Sequence, residues 1–102
     1  MKYQLVLQFP YDGSAAAYDR LMALEDAAIE GIGDKGIIDG HDYGSGEMNL
    51  FVHTNDPSEA FSVLKRLFGP NEEAQVRAGY RDFEEDTYTP IFPTSLKHFS
   101  VT

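Results

Sequence analysis

The chain has no cysteine, few cations and no long apolar run, and each shortage narrows what it can be. Without cysteine there are no disulfides, no thiol nucleophile and no thiolate ligands for zinc or an iron–sulfur centre. Eight Lys and Arg stand against seventeen Asp and Glu, a formal charge of −9. Such a charge repels phosphate backbones and anionic lipid, and it favours a basic partner. No stretch approaches the roughly 20 apolar residues of a membrane span. Met1-Lys2 leads only to the short apolar segment Leu5 to Leu7, flanked by Gln4 and Gln8, whereas a signal peptide needs an apolar core of about 7–15 residues. These shortages predict a cytoplasmic protein without a membrane partner.

What is present suits a single globular domain: 102 residues, 42% hydrophobic and 25% charged, enough for one core of modest stability. Tyr3, Leu5, Leu7 and Phe9 alternate with Gln4, Val6 and Gln8, the period of a half-buried strand. Ser14 is a candidate N-cap for a helix over Ala15 to about Glu30. Ala17, Leu21, Leu24 and Ala28 form its apolar face, widened by Tyr18, Met22 and Ile29, with Glu25 among the acids assigned to the polar side. Gly36 to Asp42 and Glu47 to His53 read as a hairpin. A three-residue loop, Gly44 to Gly46, pairs Ile38 with Val52 and Gly40 with Leu50 on one face, and His41 with Asn49 and Asp39 with Phe51 on the other.

Asp56-Pro57-Ser58-Glu59 carries the signals of a second helix start: an N-cap carboxylate, proline at the first helical position and Glu59 reaching back. Ala60, Phe61, Leu64, Leu67 and Phe68 form its stripe, and Gly69-Pro70 ends it. Pro70 to Glu73 reads as a polar turn, and Ala74 to Asp82 as a fourth strand with Val76, Ala78 and Tyr80 on one face. The order strand, helix, strand, strand, helix, strand predicts a ferredoxin-like βαββαβ plait over residues 1–90. It has a four-stranded antiparallel sheet of order 4-1-3-2 and two helices on one face. Residues 91–102 form a tail whose Ile91, Phe92, Leu96, Phe99 and Val101 are apolar enough to dock in part.

In that plait the second sheet face is bare and carries Asp39, His41, Asn49, Phe51, His53, Arg77 and Arg81 beside Gln4, Val6 and Gln8. Phe51 is the one clear exposed aromatic, and RNA-binding sheets stack bases on two or three, so nucleic acid is set aside as a partner. His41 and His53 fall about four residues apart along their strands, more than about 10 Å, too far to share one zinc ion. Neither a metal nor an organic cofactor is expected. His41, oriented by Asp39 or Asn49, is a candidate general base. Glu72-Glu73 and Glu84-Glu85-Asp86 are candidate footprints for a basic partner.

The stretch from Asp39 through Phe51, with Gly40-His41-Asp42, Gly44-Ser45-Gly46 and Met48-Asn49 inside it, is followed by Thr54-Asn55-Asp56-Pro57. It resembles a hairpin found in a group of small bacterial proteins. Ala78-Gly79-Tyr80-Arg81 and Tyr88-Thr89-Pro90 are similar to that group's later segment. The resemblance spans about residues 1–93. It implies a bacterial source and a compact α/β domain, and brings no activity or catalytic residue with it.

Three expectations follow. The first is a non-enzymatic acidic binding module, immunity-like or regulatory, that neutralises a basic protein and dimerises through the bare face or an edge strand. The second is a dimeric sensor that holds a carboxylate with Arg77, Arg81, His41 and Asn49. The third is a small enzyme built on His41.

Overall fold

The computed structural model describes residues 1–101; Thr102, the last residue of the tail, lies outside them. It is an α+β domain with one antiparallel sheet of five strands: β1 (Tyr3–Pro10), β2 (Ile37–Gly44), β3 (Glu47–Thr54), β4 (Arg77–Asp82) and β5 (Thr89–Phe92). Three helices accompany it: α1 (Ala15–Gly31), α2 (Pro57–Lys65) and the short α3 (Pro70–Gln75). The strand order is β2-β3-β1-β4-β5. The expected four-stranded sheet is therefore corrected in strand number and order, because Thr89–Phe92, which straddles the expected boundary of domain and tail, supplies β5 outside β4. No helix among the described residues is long and apolar enough to cross a membrane.

The alternation in β1 divides the molecule. Leu5, Leu7 and Phe9 join Leu21, Leu24 and Ala28 of α1 and Phe61 and Leu64 of α2 in one core, with Met48, Leu50, Val52 and Ala78 from the neighbouring strands. Ser14 Oγ accepts from the Ala17 N–H at 3.1 Å and caps α1, and Asp56 Oδ1 accepts from the Glu59 N–H at 3.1 Å and caps α2. Glu59 does not fold back on that cap: its Oε1 takes Lys35 Nζ at 3.0 Å, and the Asp56 N–H goes to Thr54 Oγ1.

The polar turn expected at Pro70 to Glu73 is helical, a correction with a local cause. Gly69 stands before Pro70, and Glu72 Oε1 accepts the Gly69 N–H at 3.3 Å. Gly69-Pro70 therefore starts a helix; α2 has already ended at Lys65, before Leu67 and Phe68, and not at Gly69-Pro70 as expected, and β4 begins at Arg77 instead of Ala74.

The hairpin loop is also shorter than expected. Gly44 pairs with Glu47 across a two-residue turn in which Ser45 (φ 55°) and Gly46 (φ 79°) are both left-handed, the twist that suits a tight hairpin. One residue less in the loop shifts the register by one, so His41 faces Leu50 and Asp42 faces Asn49. A bulge between Ile38 and Gly40 absorbs the difference, and Ile38 still meets Val52.

The second face of the sheet is not bare. Beyond the cis Phe92–Pro93 peptide the chain turns back and lays Phe99 on Gly79. A Cβ on Gly79 would sit 2.6 Å from the Phe99 ring, so only glycine permits this approach. Val6, paired with Gly79 and Phe51 on this face, has no exposed surface.

Candidate functional site

The register decides where the candidate residues lie. Asn49, Phe51, His53, Arg77 and Arg81 occupy the tail-covered side with Gln4, Val6 and Gln8, as their pairing with β1 requires. His41 does not: paired with Leu50, it projects to the helix side. The expectation that His41, Phe51 and Arg77 share one surface is corrected, because the two-residue turn moves His41 across the sheet.

On the tail-covered side the polar groups are spent on one another. Asn49 Nδ2 donates to Asp42 Oδ1 at 2.9 Å, and Gln8 Nε2 donates to Asn49 Oδ1 and to the Ser100 carbonyl, each at 3.0 Å. Gln8 and Asn49 are each 2% exposed. Gln4 Oε1 accepts from Arg81 Nε at 3.0 Å and from the Tyr88 hydroxyl at 2.8 Å. Arg81 Nη1 donates to the Glu85 carbonyl at 3.0 Å. Asp39, in the bulge, reaches His53 Nε2 at 3.4 Å, and the His53 ring meets Phe83 edge-on. The carboxylate clamp expected of Arg77, Arg81, His41 and Asn49 is not assembled. His41 is on the other side, Asn49 is buried, and Arg81 Nε and Nη1 already serve internal acceptors.

The surface that remains lies where β2 meets α1. Glu25 and His41 face each other there, with both carboxylate oxygens 3.0–3.1 Å from His41 Nδ1. The carboxylate only accepts, so Nδ1 carries the proton and Nε2 is the basic nitrogen. Tyr43 stacks on the His41 ring at 6.3 Å between centroids and meets Tyr11 and Tyr18 edge-on at 5.4 and 6.0 Å. Tyr43 is 57% exposed and Tyr18 37%. Asp12 and Asp19, both exposed, follow Tyr11 and Tyr18 in the chain. A hydrogen bond from the Ser14 hydroxyl, reinforced by the Ser14 N–H, holds the Asp12 carboxyl below its ordinary value.

Glu25, Tyr11, Tyr18 and Tyr43 are not among the site residues expected from the sequence, where Tyr18 and Glu25 figure only in the two sides of the first helix. A signal existed: Tyr18, Met22, Glu25 and Ile29 recur at steps of four, three and four, which puts them on one flank of α1. Glu25 reads as a solvated charge only until β2 is known to bring His41 beside that flank. The His41–Glu25 pair has the chemistry of a general base. The two clefts lined by Phe9 and Leu67 and by Lys2 and Asp82 do not include His41 or Glu25. No cluster of three or more His, Asp or Glu among the described residues is placed to hold a metal ion.

No protein-family model matches the chain, and no curated protein or solved structure matches it.

Proposed function

We propose that this protein is a non-enzymatic binding module that takes a basic protein partner on the tyrosine surface between α1 and β2. The observation that carries the reading is the cluster of Tyr11, Tyr18 and Tyr43 beside the His41–Glu25 pair. Tyr18 and Tyr43 in it are exposed, exposed Asp12 and Asp19 follow Tyr11 and Tyr18 in sequence, and the chain carries a charge of −9. Tyrosines supply large contact areas at low entropic cost and dominate interface energetics. The excess of carboxylates on the chain speeds encounter with a cationic surface and disfavours anionic ones. Neutralisation of a basic protein, in the manner of an immunity or regulatory protein, is the role that fits this chemistry. The run β2-β3-β1-β4 with α1 and α2 on one side supports relating the fold to the ferredoxin-like plait, extended by β5. A dimer through the second sheet face finds no support in a surface that the chain's own tail covers.

The test is site-specific photocrosslinking. A benzophenone side chain at position 43 should capture a basic protein from extracts of the source cells, and one at position 87 should not. The capture should fade as salt rises. With the captured partner purified, Tyr43→Ala should weaken binding by about tenfold or more while leaving thermal stability in place. Capture at both positions alike, or a partner whose affinity ignores Tyr43→Ala, overturns the reading.

A further inference from the structure

The opposite flank of α1 borders a cleft of about 590 Å³ that opens between α1 and α3. Phe9 at the end of β1 lies in its floor, and Leu67, 37% exposed, stands in its wall. Three of the six residues that α1 gives to its lining are Ala17, Ala23 and Ala27, whose short side chains leave room beside Arg20, Leu21 and Leu24. Its volume lies within the range of small-molecule sites, and its lining mixes apolar side chains with Arg20, Asn71, Glu72 and Gln75.

The polar groups choose the ligand. Arg20 lines the cleft, and among the described residues no carboxylate lies within ion-pair distance of it, Asp12 acting on it only at longer range. Glu72 also lines the cleft, with its Oε1 accepting the Gly69 N–H at the start of α3. Asn71 and Gln75, one turn apart on α3, add neutral amides. A guanidinium with no carboxylate at ion-pair distance, beside Phe9, Leu24 and Leu67, fits one carboxylate on an apolar body. The net charge of −9 argues against a ligand with several negative charges. The groove follows α1 from Ala17 to Ala27, about 15 Å of helix, a length that suits an extended alkyl chain better than a single ring.

We infer that the cleft is a binding site for an aliphatic monocarboxylate, with the carboxylate on Arg20 and the alkyl chain over Phe9, Leu24 and Leu67. The site is separate from the tyrosine surface, so either can fail without the other. Amide NMR spectra of the full chain, titrated with sodium decanoate below its micelle point and in parallel with decan-1-ol, decide the matter. Decanoate should shift Leu24, Ala27, Leu67 and Gln75 saturably and bind at least about tenfold more tightly than the alcohol. Arg20→Gln, a change at an exposed position, should bring decanoate down to the affinity of the alcohol. Ala27→Leu should block both ligands by filling the groove. Shifts scattered outside the cleft, equal affinities for acid and alcohol, or decanoate binding that survives Arg20→Gln would overturn the assignment.

Discussion

Leu7 and Gln8 are consecutive residues of β1, both almost wholly buried, yet they belong to opposite surroundings. On the helix side Leu7 packs in a core of aliphatic and aromatic chains drawn from α1, α2 and the strands β1, β3 and β4. On the other side Gln8 is one link in a ladder from Asp42 through Asn49 to the Ser100 carbonyl, beneath a tail whose Phe99 rests on Gly79. The first side is closed by many interchangeable apolar contacts, which tolerate small shifts. The second is closed by a few directional bonds, which hold only while every partner is present. One face therefore supplies bulk stability, and the other pins a single segment in a single place.

The largest effect should come from Leu7→Ala, which leaves a cavity in the main core and should cost about 2–5 kcal/mol in urea unfolding. Gln8→Leu keeps the volume but removes the donor that serves Asn49 Oδ1 and the Ser100 carbonyl. It should cost about 1–3 kcal/mol and loosen Phe99 and Ser100 in amide relaxation measurements. A Gln8→Leu protein as stable as the parent would break the contrast, because the tail would then be held by apolar contact alone. The smallest effect belongs to Asp12, an exposed group at the start of α1. Its carboxyl is held below the ordinary value by Ser14, so it favours folding above that value, and the contribution is lost as pH falls through the folded-state value. The stability difference between parent and Asp12→Asn should be constant at neutral pH and shrink on the acid side. A difference that stays flat into acid would remove Asp12 from the acid limb of the stability curve.

The comparison of faces also shows which features were legible in the residues. Ser14, Asp56 and Pro57 announce their helices because capping chemistry is local, and Ala17, Leu21, Leu24 and Ala28 mark the buried face of α1 through period alone. The sides taken by Leu5, Val6, Leu7 and Gln8 follow from strict alternation. The side taken by His41 does not, because it hangs on one residue of loop length and on a bulge at Asp39. Either would reverse it, and only together do they return Ile38 to its expected partner. The candidate site fared worse than the fold for this reason: it was assembled across a hairpin whose register short-range signals leave open.

Composition and periodicity by themselves determined the acidic character, the absence of thiol chemistry, two capped helices and the alternation of β1, β3 and β4, since each depends on neighbours within a few positions. Only tertiary structure decided that Glu25 meets His41 across sixteen positions of chain, that Tyr43 joins Tyr11 and Tyr18, and that Phe99 covers Gly79. Those contacts join segments far apart in sequence, and their geometry is set by the packing of whole elements, which no local pattern encodes.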